Sequence, residues 1–255
     1  MEKKGILTVS FGTSHLDTLE KTIAKIEKDI SVAFPEYGIY RAFTSSIILS
    51  KLRKQQIEIH DVKGALEQME ADGIRHVIVQ PTHVIHGLEY DKMMEQLEKF
   101  KDRFETIRAG APLLSGTQDY KKAIHAVMSE IQVEEDEMLI FMGNGSEHPA
   151  NASYALLEYL FHYLGYEHVL VGTVEGFPNL EAVKKKMRGT GLQKVVLMPF
   201  MIVAGNHAKN DMAGENGSWK NEFLQEGYEV RTLLQGLGEF SGIRRIFLEH
   251  MQAVM

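Results

Sequence analysis

Cysteine is absent from this 255-residue chain. Its absence excludes disulfides, thiolate metal sites and a cysteine nucleophile together. Proline is scarce, with 6 in all, and no Pro/Ser-rich stretch marks a linker. No apolar run is long enough for a membrane: the longest, Val195–Ala204, is half a span and contains Pro199. Positive charge is also short. Against 35 Asp and Glu there are 28 Lys and Arg, a net charge of −7, which argues against nucleic acid as the main partner. The phosphate-loop pattern GxxxxGKS/T is missing, Gly143-x-Gly145 lacks the third glycine of a dinucleotide fingerprint, and GxSxG does not occur. No nucleotide cofactor and no serine nucleophile elbow are therefore expected. The opening MEKKGILTVSFGTS carries two lysines, but its apolar stretch is broken by Thr8, Ser10 and Gly12. It reads as a first strand rather than a secretory signal, and a cytoplasmic protein without membrane partners is expected.

What is present is an alternation of short β-branched runs and longer amphipathic stretches. Strands are predicted near Gly5–Ser10, Gly38–Ala42, His76–Gln80, Thr106–Arg108, Met138–Met142, His168–Gly172, Val195–Met198 and Val230–Leu233. Helices fall between them, among them Leu16–Ile30, Tyr90–Phe100, Asp119–Ile131, Ala150–Leu164 and Ser241–Met255. This is the pattern of βαβ units and a mostly parallel sheet covered on both faces. Trp219 reads as a core or interface residue and Asn216-Gly217 as a tight turn.

The chain also repeats itself. GIRHVIVQPTHVIHGLEYDKMM, from Gly73, aligns with GLQKVVLMPFMIVAGNHAKNDM, from Gly191. Pro81 then faces Pro199, Gly87 faces Gly205, Glu89 faces His207 and Met94 faces Met212. ILTVSFGTS aligns with LIFMGNGSE, pairing Gly12 with Gly145, and the stretch from Ser115 aligns with that from Gly238. Similar apolar positions are common to all βα units; the shared Pro and Gly spacing points to duplication. Two α/β halves follow, residues 1–116 and 117–238, with a C-terminal helix, 239–255, that the repeat pairs with the helix from Asp119. Parallel sheets bind ligands beyond the carboxyl ends of their strands, so the strand-end loops of both halves are the candidate site.

Those loops hold His207, Glu175, His83, His86 and Glu89. Imidazole nitrogen with carboxylate oxygen suits Co²⁺, Fe²⁺, Ni²⁺ or Zn²⁺. Each residue alone reads more readily as an ordinary polar loop position or a hydrogen-bonded structural histidine. Ser45 or Ser46 can cap a helix whose free N–H groups receive an anion, with Arg41, Lys51 and Arg53 nearby. An ordinary cap with a solvated basic face explains them as well.

Several of these segments resemble a known family. SFGTS from Ser10, RAFTS from Arg41 followed by KLR, HVI-x-G-x-EY from His83 to Tyr90, EGFP at Glu175 and MPFMIVAGNHAKNDM are similar to the anaerobic cobalt chelatases of the CbiK type. The resemblance runs nearly end to end. It implies two Rossmann-like halves with a tetrapyrrole in the cleft between them, and insertion of Co²⁺, in some members Fe²⁺, into sirohydrochlorin without ATP. It also implies a His-Glu-His metal site. Glu175 and His207 match it, but the first histidine, expected in MGHG, is Asn144 in Met142-Gly143-Asn144-Gly145. An amide accepts no proton at neutral pH and is a weaker ligand than imidazole. The departure implies either slow insertion, with His148 or His83 as a substitute base, or a tetrapyrrole or metal carrier without turnover. A small-molecule binding protein without metal is the third reading. Ser10, Arg41, Ser45, His83, Glu89 and Tyr90, with Lys51, Arg53 and Lys209, are the expected substrate contacts. A monomer and a homo-oligomer are both compatible with the sequence.

Overall fold

In a computed structural model describing residues 2–255, the chain forms two four-stranded parallel sheets. The first contains β1 (Lys3–Ser10), β2 (Gly38–Phe43), β3 (Ile74–Pro81) and β4 (Thr106–Ala109), and the second β5 (Glu137–Gly143), β6 (Val169–Thr173), β7 (Lys194–Pro199) and β8 (Glu229–Thr232). Their spatial orders are β2-β1-β3-β4 and β6-β5-β7-β8, the same permutation twice. Pro81 and Pro199 each end the equivalent central strand, and the amide just after each, of Thr82 and of Phe200, still donates at 2.8 Å to the neighbouring β1 or β5. Gly12 and Gly145, just past β1 and β5, both have positive φ, 98° and 80°. The expected α/β architecture of two similar halves is therefore present.

The connecting helices are α1 (Leu16–Lys21), α2 (Ile23–Ala33), α3 (Ser46–Lys54), α4 (Val62–Ala71), α5 (Leu88–Phe100), α6 (Thr117–Met128), α7 (Ala152–Tyr163), α8 (Leu180–Arg188), α9 (Trp219–Gln225) and α10 (Ser241–Gln252). The single helix predicted over Leu16–Ile30 is broken at Thr22, whose backbone leaves the helical region. Its hydroxyl donates to the Thr18 carbonyl, and Gly238 packs against it so closely that a Cβ there would lie 2.8 Å from the Thr22 Cβ. A β-branched residue bonding back along the helix, with a chain segment pressed against it, accounts for the break.

Alternation along β1 sends Ile6 and Leu7 to opposite faces, and the faces meet different cores. Leu7 and Val9 pack with Leu66 and Met93 under α4 and α5. Ile6 and Ile78 join Ile26 and Ile30 of α2, Ile124 of α6, Phe161 of α7, Ile243 and Phe247 of α10, and Leu139 and Phe141 of the second sheet. Helix α10 contacts α2 and β3 as well as α6, so residues late in the chain cover the first sheet. One apolar core thus spans both halves.

Phe247, fully buried at that junction, is expected to cost roughly 3–5 kcal/mol on Phe247→Ala. Urea denaturation should show one shifted transition rather than two, because the core is shared.

Candidate functional site

The strand ends of both sheets open onto one cavity of about 470 Å³. Its walls are mainly apolar, with Ile48, Ile85, Leu88, Met201 and Val203 among the lining residues. Three polar side chains converge on the second-half wall. Asn144 follows β5, Glu175 follows β6, and His207 opens a π-helical turn, His207–Met212, after β7. The Glu175 amide donates to the Asn144 carbonyl at 2.8 Å and the Val174 amide to the Gly143 carbonyl at 3.0 Å, so the loops after β5 and β6 run side by side. Glycine makes this approach possible. A Cβ on Gly145 would lie 2.7 Å from the Gly176 nitrogen, and one on Gly143 would sit 2.2 Å from the Tyr154 ring. Asn151 locks the arrangement, accepting from the Ser146 amide at 3.0 Å and donating to the Phe177 carbonyl at 2.6 Å.

Within this frame Asn144 Nδ2 donates to Glu175 Oε2 at 3.2 Å, and Glu175 Oε1 lies 3.9 Å from His207 Nε2. His207 Nδ1 is 2.7 Å from Asp211 Oδ2. A carboxylate can only accept, so Nδ1 carries the proton of a neutral His207 and the Nε2 lone pair faces Glu175. Two ligands each 2.0–2.2 Å from one ion sit ~3–3.4 Å apart in tetrahedral or octahedral geometry. Small side-chain movements would let Glu175 and His207 share a divalent cation, with Asn144 beside it and other positions open to water.

The first-half wall carries Ser10, Ser45, Lys51, His83, Glu89 and Tyr90, all lining the same cavity. Ser10 is tied to Thr82, hydroxyl to hydroxyl, at 2.7 Å, and the Ser45 hydroxyl accepts from the Ile48 amide as the cap of α3. Burial drives the His83 imidazole down to about 4 and also raises the Tyr90 hydroxyl. Burial likewise lowers His86, whose Nε2 is 2.7 Å from the Ser115 hydroxyl.

Some expected residues are elsewhere. Arg41 does not reach the cavity: its guanidinium makes a two-pronged pair with Glu27 of α2, because its place on β2 turns it toward the helix layer. His148 does not line the cavity either. Its Nδ1 accepts from the Ala150 amide at 3.1 Å as a helix cap, and its Nε2 lies 3.2 Å from Asp91 on the opposite half. Lys209 is engaged 3.2 Å from Asp17, and Arg53 is not among the lining residues. Lys51 is the one lysine or arginine lining the cavity among the described residues. Asp211 was not foreseen, although its position four residues after His207 on a helical stretch was the available signal.

The family model described as cobalt chelatase (CbiK) matches residues 4–255. The chain is 38% identical to the sirohydrochlorin cobaltochelatase of Salmonella typhimurium, over 99% of this chain and 97% of that protein. It is 33% identical to the sirohydrochlorin cobaltochelatase CbiKC of Nitratidesulfovibrio vulgaris, over 100% of this chain and 92% of that protein. Among solved structures, SirB from Bacillus subtilis with Fe³⁺ superposes with a TM-score of 0.67 at 14% identity, covering 98% of this chain and 94% of SirB. CbiX, described as the terminal enzyme for biosynthesis of sirohaem in denitrifying bacteria, gives 0.55 at 12% identity, covering 98% and 99%. These two likenesses concern the fold.

The His207–Asp211 contact makes a measurable claim. Asp211→Ala is expected to weaken Co²⁺ binding about 10–100-fold, with partial recovery in Asp211→Glu. Titration of the protein with Co²⁺ alone, followed by its visible absorbance, reads the difference.

Proposed function

The chain belongs to the cobalt chelatase (CbiK) family, and on that premise we propose that it inserts Co²⁺ into sirohydrochlorin without ATP, in the cytoplasm. The observation that carries the reading at the level of residues is the convergence of Asn144, Glu175 and His207 on one cavity wall. In this reading the Glu175 carboxylate and His207 Nε2 hold the incoming cation, while Asp211 keeps the His207 lone pair aimed at it. The remaining positions hold exchangeable water, so the ion can pass to the macrocycle nitrogens. The donor set of one nitrogen and several oxygens also admits Fe²⁺, Ni²⁺ and Zn²⁺.

The mainly apolar walls suit the macrocycle, and its carboxylates project to the rim, where Lys51 and the capped start of α3 meet some of them. Ser10 shapes the wall through Thr82, and half-buried Tyr90 adds its hydroxyl to the lining. No helix of the described chain is long and apolar enough to cross a membrane. The carrier reading raised by Asn144 is not favoured, since both relatives compared bear the name of the enzyme.

An anaerobic absorbance assay with sirohydrochlorin and Co²⁺ tests the function. The wild type should convert the spectrum, and Glu175→Gln and His207→Ala should each lose both Co²⁺ binding and conversion. Asn144→His, which adds a third imidazole, should bind Co²⁺ at least tenfold more tightly, a difference of about 1.4 kcal/mol. A wild type that binds sirohydrochlorin without converting it would restore the carrier reading.

A further inference from the structure

Metal insertion releases two pyrrole protons, and the metal-facing wall has no free base to take them. Asn144 is an amide, His207 is committed to the cation and to Asp211, and both nitrogens of His148 are engaged outside the cavity. The opposite wall is different. Five buried side-chain atoms lack a hydrogen-bond partner among the described residues, and three of them are His83 Nδ1, His83 Nε2 and Glu89 Oε2. Buried polar atoms are rarely left unpaired, because the desolvation cost is then uncompensated. Both side chains border the cavity. Their nitrogens and oxygen are closed off as they stand, so a small turn of the side chains into the cavity is what brings them to a ligand seated in the cleft.

We propose that His83 is the proton acceptor of the reaction, working on the macrocycle face opposite the metal and handing protons outward through Glu89. The proposal rests on the chelatase reading above. Each step balances. A pyrrole N–H bond breaks, its electron pair stays on nitrogen and becomes a bond to Co²⁺, and the proton moves to the lone pair of neutral His83. The imidazolium is stabilised by the Glu89 carboxylate beside it, the neighbouring charge that opposes the effect of burial on His83. Glu89 can then take the proton on Oε2. Its other oxygen is held by Lys92 at 2.6 Å in an exposed contact, so the carboxylate links the buried imidazole to the surface. A second round removes the second proton. One Co²⁺ enters, two protons leave, and no oxidation state changes. Burial of the imidazole keeps its lone pair free across the neutral range until the cation has acidified the pyrrole.

The test compares wild type, His83→Ala and His83→Gln in three measurements: binding of Co²⁺ alone, binding of sirohydrochlorin alone, and single-turnover insertion under anaerobic conditions. Turnover is expected to fall about 10²–10⁴-fold in both variants, with both affinities nearly unchanged. Free imidazole, with free Co²⁺ held constant by a metal buffer, should restore turnover in His83→Ala and not in His83→Gln, where the amide side chain fills the space. If His83→Ala does not fold, the turnover and affinities of His83→Gln decide. Wild-type turnover in a folded variant overturns the assignment. So does a loss confined to sirohydrochlorin affinity, or a folded His83→Ala that imidazole does not rescue. A wild type that inserts no Co²⁺ overturns the chelatase reading itself, which separates the two failures.

Discussion

The hydrogen bond from the Glu175 amide to the Asn144 carbonyl sets the geometry on which the site depends. It forms because Gly145 and Gly176 let two strand-end loops run closer than side chains allow. With the backbones tied at 2.8 Å, Asn144 and Glu175 reach each other without long or mobile side chains. His207 enters from the third strand on a π-helical turn that also supplies Asp211. Three adjacent strands of one sheet thus furnish the wall proposed to face the metal, and the precision of the site is the precision of the sheet.

The second wall comes from the same topology used again. Because the halves share a strand order, the loop after β3 stands where the loop after β7 stands, and Glu89 occupies the place of His207 in the repeat. The repeat conserves position and changes chemistry. One wall presents the proposed ligands with hydrogen-bonded partners; the other presents His83, with neither nitrogen paired, and one unpaired oxygen of Glu89. A planar substrate between them meets a different environment on each face, as a reaction that adds a cation and removes protons requires.

Much of this was legible in the sequence because it is encoded in local pattern. Strand-to-helix alternation and the paired Pro81 and Pro199 gave the two sheets, and the loops after the strands gave the position of Glu175, His207 and Asn144. Where side-chain direction depends on a distant partner, the sequence was silent. Arg41 is basic and close to the cleft along the chain, yet Glu27, which lies in an earlier helix, captures it. His148 is four residues from Asn144, but Asp91 of the other half and the Ala150 amide hold its ring away. The break at Thr22 depends on Gly238, a contact between segments far apart in the chain. The isolation of His83 was equally hidden, since an unpaired nitrogen is a property of the surroundings rather than of the residue.

The shared core has a consequence for how the protein is made. Ile6, Ile26, Ile30 and Ile78 are covered in part by Ile243, Ile246 and Phe247 of α10. Those residues leave the ribosome long after β4 has been synthesised. At roughly 5–20 residues per second, the first sheet waits several seconds or more with one apolar face only partly covered, by α2 alone. The first half therefore cannot complete its folding while translation is under way, and its nascent form is a natural client for chaperones that bind exposed apolar surface. A message truncated within α10 would leave both halves with an incomplete core, not merely remove a terminal helix.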